Sequence, residues 1–193
     1  WVTDNPEDHP RRYVDHFRGL AAQGRDLAGE ARLLDALVPP GSHLLDAGCG
    51  TGRTGAVLHA RGHRVVGVDA DPVLVSAARE DHVGPTWVVD DLTTLDLAAH
   101  GVAAPFDGAV MAGNVMVFVA PGTERDVLAG LARHLSPGAP AVVGFATDRH
   151  YALVSFDDDA EAAGFGLEHR FATWDLRPWR ADGDFAVTIL RRL

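Results

Sequence analysis

The sequence predicts an α/β fold: a single domain built on a doubly wound, mostly parallel seven-stranded sheet, with an antiparallel C-terminal strand and two N-terminal helices. Three observations predict it. Short apolar runs bounded by turn residues recur along the chain, and segments of helical period lie between most of them, the alternation that builds a parallel sheet covered on both faces. The last two runs follow one another with no helix between, which pairs them antiparallel. The length of 193 residues, 47% hydrophobic and 23% charged, suits one domain over residues 1–193 and excludes disorder as the main state.

From about residue 6 to residue 38, Tyr13, Phe17 and Leu20, then Leu27, Ala31, Leu34 and Leu37, fall at helical spacing. Two helices broken near Gly24 are expected there, ended by Pro39, Pro40 and Gly41. His43–Ala47 reads as the first strand, residues 48–52 as a glycine-rich loop and Arg53–Ala60 as a helix. Residues 64–68 form the second strand, after which Asp71 and Pro72 supply an N-cap and a proline at the first helical position for a helix to about Glu80. Thr86–Val89, residues 106–112 and residues 141–146 are the third to fifth strands. Between the last two, a helix over 123–135 starts at a cap, Thr123, and presents Val127, Leu128, Leu131 and Leu135. Residues 166–174 and 185–190 complete the sheet.

Seventeen arginines and no lysine face 27 acids, for a formal net charge of -10 and a pI near 5.3. Such a surface neutralises phosphates poorly, so a nucleic-acid partner is disfavoured. The missing lysine marks a compositional bias, and single arginines are not read as phosphate clamps. Cys49 is the only cysteine, so no intrachain disulfide forms and the reducing cytoplasm is the expected compartment. The longest apolar run, 108–121, holds Asn114 and is too short to span a bilayer, and no positively charged leader precedes a hydrophobic stretch; no membrane partner is expected. The opening Trp1, in place of Met, suggests that a little of the natural N-terminus is missing. The sequence assigns no oligomeric state.

The most informative segment is Leu44-Leu45-Asp46-Ala47-Gly48-Cys49-Gly50-Thr51-Gly52, a strand that ends in an acid and runs into three alternating glycines. Glycine lets the backbone turn sharply and approach a ligand, and the start of the next helix offers N–H groups and positive potential. A cofactor with a polar or anionic group fits there; a plain strand-to-helix turn is the alternative. Gly50 to Gly55 also matches the G-x-G-x-x-G pattern of dinucleotide binding. In that pattern the first glycine directly follows the strand, whereas here Asp46, Gly48 and Cys49 come before Gly50. The frame that fits is Asp46-x-Gly48-x-Gly50-x-Gly52.

This run resembles the first motif of class I methyltransferases that use S-adenosylmethionine. The resemblance implies that cofactor, its methionine end over the loop of Asp46, Ala47, Gly48, Cys49, Gly50 and Gly52. It further implies that Asp69, ending the second strand beside Ala70, accepts both ribose hydroxyls, although an acid there also serves nicotinamide dinucleotides. After the third strand, Asp91 would accept from the adenine amino group and the Leu92 backbone would donate to the ring. The family commonly has glycine before this acid and Asp90 stands there instead, so Asp90 is the alternative to Asp91. Asn114, after the fourth strand, is the best placed polar group beside the methyl donor, with a left-handed loop residue as its other reading. Leu135-Ser136-Pro137-Gly138 before the fifth strand resembles the family too. Residues 1–40 would form part of a lid over a cofactor-binding core at 41–193, with contacts from Tyr13 and Arg18.

Methyl transfer from a sulfonium is a direct displacement with dispersed charge, so a dry pocket and in-line placement supply most of the rate and no dedicated catalytic residue is needed. A hydroxyl acceptor would need a general base, for which the loop after the fifth strand offers Asp148, His150 and Tyr151, with His150 the choice. The elements expected of enzymes that methylate adenine N6, cytosine N4 or cytosine C5 are absent at Gly113-Asn114-Val115-Met116, which points to a small-molecule acceptor. His59 and His63 read as surface histidines rather than metal ligands, because no glutamate lies between them and Gly62 ends the helix. Asp157, Asp158 and Asp159 read as acids at a helix N-terminus. Cys49 reads as a packing residue, and Phe171, Trp174 and Trp179 as core aromatics that could also line a pocket. A nicotinamide-dependent oxidoreductase and a non-catalytic S-adenosylmethionine-binding protein are the competing readings.

Overall fold

The computed structural model describes residues 9–193; the expected helix start near residue 6 and Trp1 lie outside them. The chain runs α1 (His9–Ala22), α2 (Gly29–Asp35), β1 (His43–Ala47), α3 (Arg53–Ala60), β2 (Arg64–Asp69), α4 (Pro72–Asp81) and β3 (Thr86–Val89). It continues through β4 (Gly108–Met111), α5 (Val115–Phe118), α6 (Glu124–His134), β5 (Pro140–Ala146), α7 (Leu153–Ala162), β6 (Phe165–Phe171) and β7 (Phe185–Arg192). A 3-10 turn at Leu97–His100 precedes β4.

The seven strands form one sheet in the order β3-β2-β1-β4-β5-β7-β6. β1 to β5 are mutually parallel, and β7 runs antiparallel to both neighbours, β5 and β6. Strand alternation splits the core between two faces. Leu45, Ala47, Ala109, Met111, Val143 and Phe145 pack under α6 and α7, while Leu44, Val110, Val142, Val187 and Ile189 pack under α2 and α3. α6 places Val127, Leu128 and Leu131 on the first face, each almost fully buried and each contributing roughly 1.5–3 kcal/mol by leaving water. α4 starts as its sequence predicts: the Asp71 carboxylate accepts from the N–H groups of Val73 and Leu74, with Pro72 next.

Four local expectations need correction. Asp157, Asp158 and Asp159 lie in the middle of α7, because Arg170 on β6 pairs with Asp157, and Arg125 and the Tyr151 hydroxyl both donate to Asp159. These partners outweigh the helix-end preference of the acids. Thr123 makes no side-chain cap; its hydroxyl donates to the Ala120 carbonyl and the Glu124 carboxylate accepts from Gly122 N–H. β6 stops at Phe171, where Phe171 bridges Pro178 and the chain turns away. His63 is 2% exposed, its Nε2 2.9 Å from the Asp35 carboxylate, so only His59 of the pair is a surface residue.

Candidate functional site

β2 and β3 lie to one side of β1, the chain's first strand, and β4 and β5 to the other. The order therefore reverses between β1 and β4, and open α/β sheets bind ligands outside the carboxyl ends of their strands at such a reversal. A cavity of about 340 Å³ occupies this place, a volume within the usual range of small-ligand sites. Gly48, Gly50, Asp69, Ala70, Asp91 and Leu92 line it, as does Tyr13 from α1.

The glycine loop is shaped by contacts that only glycine permits. Gly48 has φ +76°, and a Cβ there would lie 2.3 Å from a Val115 methyl, so the loop and α5 can close together only without a side chain. The N–H groups of Gly48 and Cys49 both donate to the Val68 carbonyl at 2.8 and 2.9 Å. Gly50 N–H donates to Asp69 Oδ2 at 2.8 Å, while Asp69 Oδ1 accepts from Asp71 N–H at 2.9 Å. Asp69 thus ties the end of β2 to the loop with one oxygen on each side. Burial raises its pKa above the usual carboxylate range, even though these N–H bonds act the other way.

Asp46 stands behind the loop rather than in the cavity lining. It is 2% exposed, and its Oδ2 accepts from Gly55 N–H at 2.8 Å, joining β1 to the first turn of α3. Burial, opposed by that bond and by Arg53 and reinforced by the neighbouring Asp69, pushes its pKa up to about 7. Ala47 is fully buried in the core, and Cys49 packs with Val75, Ala78 and Trp87. Gly52 serves packing as well, since a Cβ there would lie 2.7 Å from the Trp87 ring.

At the β3 end the structure separates the two candidate acids. Asp91 lines the cavity, its Oδ1 accepting from the N–H and hydroxyl of Thr93. Asp90 is turned to its own loop, accepting from Asp91 N–H and Asp96 N–H and lying 3.3 Å from His100. Asn114 takes a left-handed conformation at φ 67°, and its Oδ1 accepts from Ala146 N–H at 2.8 Å, which fastens the β4 loop to the end of β5. Its place in the cavity wall is taken by Ala112, Gly113 and Val115.

His150 and Asp148 are exposed and outside this cavity, and the buried Tyr151 hydroxyl is committed to Asp159. Arg18 is likewise outside, paired with Asp81 and Glu80. Trp174 stacks against Gly144 and Gly29, Phe171 packs in the core beneath it, and Trp179 borders a separate depression with Asp148. Among the described residues no cluster of three His, Cys, Asp or Glu side chains is placed to hold a metal ion.

Sequence reasoning missed the part of the lining made by Phe118, Val119, Ala120 and Thr123. The signal was present in Val115-Met116-Val117-Phe118-Val119, an apolar run directly after a strand whose Phe118 remains 44% exposed. A lining that combines the glycine loop, Asp69 and Asp91 with the apolar Phe118, Val119 and Ala120 suits a nucleoside-bearing ligand that has both polar and apolar parts.

Residues 44–138 match the methyltransferase domain family. The structure is similar to that of a TehB-like SAM-dependent methyltransferase from Corynebacterium glutamicum, with 39% identity, a TM-score of 0.91, and coverage of 97% of this chain and 100% of that one. The chain is also 37% identical over 110 residues to a ribosomal protein L11 methyltransferase from Symbiobacterium thermophilum, covering 55% of this chain and 33% of that protein. A third relative, the 18S rRNA (guanine-N(7))-methyltransferase of Mus musculus, is 27% identical over 172 residues, covering 82% of this chain and 58% of that one. The chain therefore spans about a third of the length of the first curated relative and little more than half of the second. With the sheet order, the glycine frame and the full-length likeness in agreement, the chain belongs to the class I S-adenosylmethionine-dependent methyltransferases.

Proposed function

We propose that this protein transfers the methyl group of S-adenosylmethionine to a small-molecule acceptor by direct displacement. The observation that carries the reading is Asp69, a carboxylate at the cavity wall that also shapes the glycine loop through Gly50 N–H. When bound, the cofactor supplies an electrophilic methyl group on a sulfonium. Asp69 and Ala70 would hold the ribose, Asp91 and the Leu92 backbone the adenine, and Gly48 and Gly50 the methionine end. Asp46 fixes the loop from behind. Ala112, Gly113 and Val115 border the reacting end with backbone and apolar atoms, and Tyr13 covers it, which keeps water out and leaves the rate to placement.

With His150 outside the cavity and Tyr151 committed to Asp159, the acceptor that fits is one whose nucleophile needs no enzymatic base, an amine or a thiolate rather than an alcohol. Among the described residues no arginine lines the cavity, and the apolar side chains of Phe118 and Val119 with the net charge of -10 favour a small acceptor over a phosphate backbone. Among the described residues no helix is long and apolar enough to cross a membrane. Isothermal titration with S-adenosylhomocysteine beside NADH tests the cofactor. Saturable binding of the first alone is expected, and binding of NADH alone would overturn the reading. Methyl transfer to a panel of amines and thiols, with alcohols as the contrasting set, then tests the acceptor class; binding without turnover on any acceptor would mark a protein that only holds the cofactor.

A further inference from the structure

Arg53 opens α3, where a cation opposes the helix dipole and no acid compensates in the first turn. Its side chain is 20% exposed and that of its partner Glu30 is 14% exposed. The pair is bidentate: Nη1 donates to Glu30 Oε2 at 2.8 Å and Nη2 to Oε1 at 2.7 Å, and Nη1 also donates to the Leu27 carbonyl. A partly buried ion pair at a helix start still loses hydration, and it is a costly way to join α2 to α3 when apolar side chains would do it. Residues that break a local rule in this way mark a constraint of another kind.

That constraint is visible on the other side of the guanidinium. Arg53 Cζ lies 5.5 Å from the centre of the Phe17 ring on α1. Phe17 packs 4.7 Å from Tyr13, and the Tyr13 hydroxyl would stand 3.9 Å from a methyl group on either Gly50 or Gly113. Tyr13 thus reaches across the cavity from the β1 loop to the β4 loop. Elsewhere on α1, Arg18 pairs with Asp81 and Glu80 in a largely exposed ion pair of small worth, and Val14 packs on Leu74 and Ala77.

Building on the cofactor reading above, we infer that Arg53 is a positioning residue: held by Glu30 and Leu27, it presents its charge to Phe17 and so keeps Tyr13 closed over the methionine end of the cofactor. Arg53 itself is not among the residues that line that cavity. The residue directly follows the glycine motif yet acts on the lid.

Stopped-flow release of S-adenosylhomocysteine, combined with hydrogen exchange of the same complex, tests this. In the wild-type protein, ligand binding is expected to slow exchange over His9–Ala22. Arg53→Met is expected to release the ligand about tenfold faster, the loss of roughly one strong contact, and to return α1 exchange to its ligand-free rate while β1 and α6 stay protected. Arg53→Lys should recover little, because an ammonium cannot make the planar two-point contact. If Arg53→Met does not fold, Phe17→Leu, which leaves the Arg53–Glu30 pair intact, is expected to show the same two changes. Wild-type release with α1 still protected would overturn the inference, as would a uniform loss of protection across β1 and α6. No binding by the wild type would overturn the cofactor reading itself, and the lid role with it.

Discussion

Asp46 and Asp69 are neighbouring acids with different tasks. Asp69 borders the cavity, so its removal is felt by the ligand: Asp69→Ala is expected to weaken S-adenosylhomocysteine binding about a hundredfold, from two lost hydrogen bonds to a charged group. Titration calorimetry measures this, and unchanged affinity would remove Asp69 from the site. Asp46 is sealed off, and its pKa of about 7 makes it a source of pH dependence. A carboxyl raised above its unfolded value near 4 contributes stability fully below that value and loses it as pH climbs to about 7, a span on the order of 4 kcal/mol. Asp46→Asn keeps an oxygen for Gly55 N–H and cannot ionise, so the variant should gain melting temperature over the wild type at pH 8 and much less at pH 5; equal differences at both values would contradict the assigned burial. The sequence places Asp69 at the end of its strand, where it borders the cavity, whereas Asp46, expected to face the cofactor, turns instead to Gly55 N–H at the start of α3. Asn114 and His150 were not, since a side chain beyond the strand end points wherever its loop turns, and Asn114 turns to Ala146.

β3 carries Trp87, and this ring organises the elements around it. It lies over Gly67 of β2 and against Gly52 and Gly55 at the start of α3, with a Cβ on Gly67 placed 2.3 Å from the indole. Its Nε1 donates to the His82 carbonyl at 3.0 Å, which prevents the ring from moving aside. Gly67→Ala should therefore cost about 1–3 kcal/mol and lower the melting temperature by several degrees, and Trp87→Leu in the same chain should recover part of it. Additive losses in the double variant would show that the two residues do not share this space. β1, β2 and β5 were readable nearly to the residue because they are largely buried and bounded by glycine, proline or acids, whereas β4, read as 106–112, spans only Gly108–Met111. α7 was less so: its acids sit mid-helix for partners on α6 and β6 that no local pattern announces. β6 was read too long because its apolar residues continue into a loop whose Trp174 packs back on the core.

For the whole molecule, alternation and length announced a parallel sheet with an antiparallel end, but not the neighbours of each strand. The site follows from that order, since the cavity exists only where β1 and β4 meet. Ligand binding at a junction between the two halves of the sheet should stabilise the entire fold. At about a hundred times its dissociation constant, S-adenosylhomocysteine should add about 2.7 kcal/mol, read as a rise of several degrees in a thermal scan. NADH at equal concentration should give no rise, and a rise with NADH alone would point back to the other frame of the glycine loop.

The placement of β7 between β5 and β6 has a consequence for the making of the protein. β6 precedes β7 in the chain but has no edge to join until β7 has docked on β5. A growing polypeptide can therefore assemble β1 to β5 with their helices while β6 waits, and the far edge of the sheet closes in one late step. Pulse-labelled exchange during refolding should find the amides of β6 and β7 protected together, after those of β1 and β4. The interval before closure leaves the open flank of β5 as the place where this chain is most exposed to pairing with another copy of itself.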